Sequence, residues 1–235
     1  MVNGRLNKIQ TWLFPPCCVL CNAPGQADLD LCLACQRDLP WLDSTCQRCG
    51  WPVESAEKHS QCGYCSNKTF SYERAVSLLE YRWPVDQMVR ELKFEKNRAH
   101  ARVLATLMAQ LLPFHYEQQP LPELITSVPM HPRRMRQRGF NQADLVAKRV
   151  GRLLNIPYAP HVARRTRYSE PQSGLNAQQR AANIAGCFEC DLPRHRSIAI
   201  VDDVFTTGST AQELSKQFKQ AGVEQVHIWT LARTL

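Results

Sequence analysis

No run of 18 apolar residues occurs anywhere in the sequence, which argues against a transmembrane helix and against membrane insertion. The apolar trio Trp12-Leu13-Phe14 is too short for the core of a secretory signal, and Pro15-Pro16 breaks it. Low-complexity tracts are missing, and no long-period repeat stands out. With 44% hydrophobic residues the chain has the material for a packed core, so wholesale disorder is excluded. Acidic excess is missing as well: the formal charge is +8 at pH 7. Residues 1–70 hold 6 Lys+Arg and 6 Asp+Glu, so the whole excess lies in residues 71–235. A basic body suits anionic partners such as nucleic acid or phosphorylated metabolites.

Cysteine is plentiful, and nine of the eleven lie before residue 66. Without a secretory signal the expected compartment is the reducing cytoplasm, where disulfides are rare and crowded cysteines read as metal ligands. They fall into four C-x-x-C pairs: Cys18/Cys21, Cys32/Cys35, Cys46/Cys49 and Cys62/Cys65. At that spacing a tight knuckle aims two thiolates at one ion. Two structural zinc sites of four cysteines each are expected, because a full set of thiolates leaves no open position for water. Pairing in sequence order is simplest, and interleaving of the pairs stays open. Cys17 adjoins Cys18 and is an alternative to it. A module of this size has too small a core to fold alone, so the metal supplies much of its stability. Cys187 and Cys190 form a fifth pair with no second half nearby, and read as ordinary cysteines entering or leaving a strand.

Residues 71–235 alternate between β-rich and helical patterns. Strands are expected at 74–81, 124–128, 197–201 and 225–231. Helices are expected from Pro84 onward, over Arg98–Leu112 with an end before Pro113, over Gln142–Leu154, and over Ser209–Ala221. This alternation predicts an α/β fold, a mostly parallel sheet flanked by helices, behind a small N-terminal metal module. The boundary is expected near Thr69–Tyr72, dividing 1–70 from 71–235.

The run IAIVDDVFTTGST, Ile198 to Thr210, carries the most chemistry. A buried strand delivers Asp202 and Asp203 to its C-terminal end, where open α/β sheets bind ligands. Thr206, Thr207, Gly208, Ser209 and Thr210 then open a helix, offering backbone N–H and hydroxyl donors to a phosphate. The carboxylates suit ribose hydroxyls, taken directly or through Mg²⁺. Arginines crowd two neighbouring segments: Arg133, Arg134, Arg136 and Arg138 with His131 in one loop, and Arg164, Arg165 and Arg167 in another. Guanidinium groups take phosphate oxygens two at a time, so either set suits pyrophosphate or a DNA backbone. Phe140, Tyr168 and Phe205 are candidates for stacking on bases, although a lone aromatic is more often core.

The Ile198–Thr210 run closely resembles the motif that binds 5-phosphoribosyl pyrophosphate (PRPP) in type I phosphoribosyltransferases. The resemblance implies that Asp202 and Asp203 hold the ribose 2′- and 3′-hydroxyls and that Thr206 to Thr210 cradle the 5′-phosphate. Two further segments, Ser127–Gln142 and Arg164–Asn183, together with the cysteine module, resemble the ComF family over nearly the full length. By that resemblance the N-terminal module is a double zinc ribbon and the body is a type I phosphoribosyltransferase-like domain. Val128, Pro129 and the loop after them would face pyrophosphate, and Gln172–Asn183 would form a mobile loop over the site. The family further implies a part in natural competence and DNA uptake, PRPP bound with Mg²⁺, single-stranded DNA as a partner, and other DNA-uptake proteins as possible companions. An active salvage phosphoribosyltransferase is the alternative. Thr206 argues against it, since purine-type relatives often carry a carboxylate at that position to move a proton at the base. The candidate loops also contain arginines but no lysine.

Overall fold

The computed structural model describes residues 15–53, 61–168, 176–191 and 195–235. Its N-terminal part is built from two knuckles of one design. Cys18 N–H donates to the Ala23 carbonyl and Asn22 N–H to the Cys18 carbonyl. In the second knuckle Cys46 donates to Trp51 and Gly50 to Cys46. The residue after each second cysteine, Asn22 (φ 60°) or Gly50 (φ 66°), is left-handed, as the turn requires. Each later cysteine pair starts a short helix: α1 (Leu33–Arg37) after Cys32 and α2 (Gly63–Ser66) after Cys62. The molecule therefore does contain an internal repeat. Its intervening residues share turn geometry rather than side chains, so only the cysteines betray it.

Twelve further elements follow: β1 (Arg74–Glu80), α3 (Val85–Phe94), α4 (Arg98–His115), β2 (Leu124–Ser127), α5 (Pro132–Arg138), α6 (Gln142–Leu154), β3 (Ala163–Arg165), α7 (Ala177–Ile184), β4 (Phe188–Cys190), β5 (Ser197–Phe205), α8 (Ser209–Gln220) and β6 (Gln225–Arg233). The main sheet runs β1-β6-β5-β2 and every neighbouring pair in it is parallel, while β3 and β4 make a small antiparallel ribbon. Alternate side chains of the central strands feed two cores. Ala199, Val201, Trp229 and Leu231 pack under α3, α4 and α6. Ile198, Ile200, Val226 and Ile228 pack with Leu214 and Phe218 of α8 and Phe188 of β4. The α/β expectation holds.

Three expectations need correction. Helix α4 does not stop before Pro113 but includes it and runs to His115. The proline lies in the last turn and on the exposed side, so it costs little, and Arg74 donates to the His115 carbonyl at the helix end. The arginine-rich segment after His131 is a helix, α5, rather than a loop. Pro132 sits at its first turn, His131 Nδ1 accepts from Arg133 N–H at 3.1 Å, and Gly139 (φ 83°) ends it. Strand β5 continues past Val201 to Phe205, because the long β6 pairs with it as far as Arg233.

The ribbon module covers the outer edge of β1. Leu42 N–H donates to Leu78, Ala75 to Gln47 and Glu80 to Pro40. An otherwise open row of backbone groups is thereby satisfied.

Candidate functional site: two thiolate clusters and the β5–α8 turn

The cysteines gather in sequence order, Cys18, Cys21, Cys32 and Cys35 in one cluster and Cys46, Cys49, Cys62 and Cys65 in the other. Within each, all sulfurs lie within 4.8 Å of one another. Cys21 and Cys32 Sγ are 3.7 Å apart, Cys49 and Cys62 Sγ 3.6 Å. A zinc ion about 2.3 Å from four sulfurs requires edges of about 3.8 Å, so both clusters fit tetrahedral Zn²⁺. Their electrostatics agree. A hydrogen bond from Cys49 is the leading cause that lowers Cys46 to about 4, while that neighbour drives Cys49 far up. Four thiolates at this spacing need a divalent cation to coexist. Cys17 stays outside, exposed, its thiol donating to the Asn22 carbonyl. Cys187 is buried at the start of β4 and Cys190 ends it, and neither belongs to a cluster.

Beyond the ribbons, β5 and β2 end side by side. Ser127 pairs with Val201, and Val128 N–H donates to the Val201 carbonyl, so Val128 and Pro129 lie beside Asp202. Asn141 Nδ2 grips the Val128 carbonyl at 3.0 Å and Asp144 Oδ1 at 2.9 Å. Asp144 also accepts from Tyr158 and Ser127. This buried network fixes the β2 exit.

Asp203 is 6% exposed and accepts from Gln142 Nε2 at 2.7 Å and pairs with Lys93 Nζ at 2.9 Å. Burial opposes the charge on Lys93, but the Asp203 carboxylate outweighs it and holds Lys93 above the ordinary lysine value. Asp202 keeps a partly exposed edge, yet loss of hydration and then the adjacent Asp203 push it up to about 7. The two carboxylates thus differ: Asp203 is compensated by Lys93 and Gln142, while Asp202 accepts from the Asp203 N–H at 2.8 Å.

The turn that follows is open to an anion. Gly208 (φ 77°) is the N-cap of α8 and offers no side-chain acceptor, and Ser209 N–H makes only a long 3.4 Å bond to Thr207 Oγ1. A Cβ at Gly208 would sit 2.7 Å from Phe205 Cζ, so both backbone and packing require glycine here. Thr207 Oγ1 and Ser209 Oγ are 2.9 Å apart on the rim, with Thr206 and Thr210 either side of them.

The arginines divide. Arg138 reaches Gln142 Oε1 at 2.9 Å and lies 5.5 Å from the Phe94 ring, next to the Asp203 cluster. Arg165 lies within electrostatic range of Arg134 and of Asp202. Arg133 lies over Tyr168 and Arg136 is exposed on α5. Arg164 is engaged by Glu189 at 2.8 Å and Arg167 by the Ala185 carbonyl at 2.5 Å, both away from the turn. Phe140 and Phe205 are core residues, 9% and 5% exposed. Of the anticipated mobile loop, residues 172–175 lie outside the described residues, and Ala177–Ile184 is helix α7 with an Asn176/Gln179 capping box.

Sequence reasoning missed Lys93, Gln142, Asn141 and Asp144. The lysine lacking in the loops is supplied by α3. Gln142 and Asn141 had one legible signal, a Gly-Phe-Asn-Gln stop-and-cap between two helices; Lys93 had none.

A double zinc ribbon domain model matches residues 9–66. The DNA utilization protein YhgH of Escherichia coli K12 is 34% identical over 226 residues, covering 94% of this chain and 98% of that protein. Competence protein F of Haemophilus influenzae is 33% identical over 211 residues, 86% and 90% of the two chains. Competence protein ComFC of Streptococcus pneumoniae is 23% identical over 209 residues, 88% and 89%. Among solved structures, a purine phosphoribosyltransferase of Pyrococcus horikoshii is 18% identical with a TM-score of 0.28, over 68% of this chain and 87% of that one. The glutamine PRPP amidotransferase of B. subtilis is 18% identical with a TM-score of 0.36, over 55% and 25%.

Proposed function

Because the chain belongs to the ComF family of competence and DNA-utilization proteins, we propose that it binds a PRPP-type ligand with Mg²⁺ at the β5–α8 turn and serves DNA uptake through that site. One observation carries the reading: a carboxylate pair, one member held by Lys93 and Gln142 and the other partly open, stands directly ahead of a helix N-terminus with no side-chain cap. Asp202 and Asp203 take the ribose hydroxyls, and the Thr206–Thr210 turn takes the 5′-phosphate. Val128, Pro129, Arg134 and Arg165 face the pyrophosphate. Oxygen donors of this kind suit Mg²⁺, which neutralises the pyrophosphate. Zinc in the ribbons is structural.

The test is calorimetric titration with PRPP and Mg²⁺ at pH 6, 7 and 8. Asp202 accepts hydroxyls and serves a cation only when ionised. Its raised value therefore means that affinity is full at pH 8 and falls as the pH drops through about 7, by up to about tenfold per unit. Absence of binding at pH 8 would sink the reading.

Exposed Arg133 and Arg136, with half-buried Arg134 beside them on α5, support single-stranded DNA as the second anionic partner. Binding should weaken as salt rises, and Arg134→Ala with Arg136→Ala should flatten the log–log slope by about 1.4, two phosphate contacts' worth. Salt-independent binding would remove DNA from the scheme.

Transfer of a free base to PRPP should be slow or absent, since Thr206 moves no proton near neutral pH. The observation favouring the rival salvage enzyme is Lys93, a cation beside the carboxylates. Pyrophosphate release with a panel of nucleobases decides, and fast turnover with any one base would promote the enzyme.

A further inference from the structure

Arg233, at the end of β6, is 6% exposed. Its guanidinium donates through Nη1 to the Cys49 carbonyl and is packed between two rings, 5.3 Å from the Trp51 centroid and 4.8 Å from the Phe205 centroid. Nε is buried without an acceptor. A guanidinium held in this way is costly unless its contacts are kept, so the arrangement is stiff.

Each neighbour of Arg233 leads elsewhere. Cys49 is a ligand of the second zinc centre, and Trp51 follows in the same knuckle. Gly50 of that knuckle is pressed on the sheet: a Cβ there would meet Ser77 Oγ at 3.0 Å. On the other side, Phe205 is the register partner of Arg233, and Thr234 N–H donates to its carbonyl at 3.0 Å. The Phe205 ring in turn stands against Gly208, the residue that aims the first amides of α8. A continuous packed path therefore runs Cys49, Arg233, Phe205, Gly208. A second strap runs beside it, Ser71 N–H to Gln212 Oε1 and Gln212 Nε2 to Ser71 Oγ, both 3.1 Å.

The first cysteine cluster packs elsewhere. Cys18, Cys32 and Cys35 pack into the core under α3 and α4 on the opposite face of the sheet, and Asp30 pairs with Arg102 of α4. Phe70, by contrast, touches both the second cysteine cluster and the α8 core.

We infer that Arg233 is a positioning residue that couples the second zinc centre to the phosphate-binding turn, so that metal at the second centre, and not at the first, holds Gly208 and the α8 amides in their anion-binding arrangement. This rests on the phosphate reading of the turn given above. The coupling travels through one discrete stack whose geometry both sites bias.

The experiment uses full-length protein and three readouts: zinc content by elemental analysis, ribose 5-phosphate affinity by calorimetry, and amide exchange of residues 206–212 by mass spectrometry. Arg233→Gln is expected to retain both zinc ions, weaken ribose 5-phosphate by about tenfold, and speed exchange over 206–212 by about tenfold, with α6 unchanged. Cys62→Ser should lose one zinc and do the same. Cys21→Ser should lose one zinc and leave both loop readouts at wild-type values. Should Arg233→Gln fail to fold, Phe205→Leu cuts the same path while leaving the guanidinium on Trp51, with the same loss expected. Wild-type exchange over 206–212 in Arg233→Gln or Phe205→Leu overturns the inference, as does an equal effect of the two cysteine variants. If wild-type protein binds no ribose 5-phosphate, the phosphate reading fails, and the exchange data still decide the coupling.

Discussion

Replacing Asp202 and Asp203 together by alanine is expected to lower PRPP affinity by more than about a hundredfold while leaving the fold intact. Two hydroxyl contacts to charged acceptors are lost, each worth about 1.5–3 kcal/mol. The fold survives for reasons of charge. Asp202, held near 7, is destabilising wherever it is ionised. Its folded value lies above the unfolded one of about 3.9, so the folded state loses stability as the pH rises between them, on the order of 4 kcal/mol by pH 8. Alanine at 202 removes that burden. Alanine at 203 strands Lys93, but the Lys93 side chain is 22% exposed and can turn to water. Asp202→Ala alone is therefore expected to raise the melting temperature at pH 8, and Asp203→Ala to lower it modestly. Calorimetry and thermal melts on the single and double variants check both statements. Normal PRPP binding by the double variant would show that the ribose lies elsewhere.

Removing zinc is expected to have the larger structural effect. In the second ribbon the cysteines themselves are the core: Cys46 is 0% exposed, Cys65 1% and Cys49 4%. Around the second site only Val53, Cys62 and Phe70 add apolar surface among the described residues. A cluster of that size does not offset chain entropy, whereas structural zinc contributes about 10–16 kcal/mol per site in small domains. The core under α8 takes no buried residue from the ribbons, and the core under α3 and α4 adds only Cys18, Leu29, Leu31 and Leu39 to many of its own, so the sheet should outlast the ribbons. Elemental analysis should find two zinc ions per chain. A strong chelator should then speed amide exchange across residues 15–53 and 61–70 before the sheet. The Ala75 and Glu80 amides should follow the ribbons, because their acceptors are the Gln47 and Pro40 carbonyls. Protein that carries no zinc, or ribbons that stay protected after chelation, would contradict this.

The chemistry that the sequence by itself determined is chemistry of short range. A C-x-x-C knuckle closes within five residues, so the eight ligands could be read from spacing. A strand, two carboxylates and a glycine turn within thirteen residues put a carboxylate pair and a glycine N-cap at the head of a helix whatever surrounds them. Helix α6 was legible to its ends, because its apolar stripe and its Asn141 cap are local. The pairing of cysteines was not legible, since in-order and interleaved ribbons have the same spacing; only the packing of each knuckle onto its own short helix decides it. Helix α5 was overlooked although Pro132 and Gly139 announce it, because four arginines in seven residues carry no apolar stripe and leave only the caps as a signal. What only the tertiary structure decided is the company of the carboxylates. Lys93 arrives from α3 and Gln142 from α6, across separations in sequence that no periodicity records. The sheet order β1-β6-β5-β2 brings these elements together at one end of the strands. Burial there makes Asp202 and Asp203, identical as residues and adjacent in sequence, electrostatically unequal.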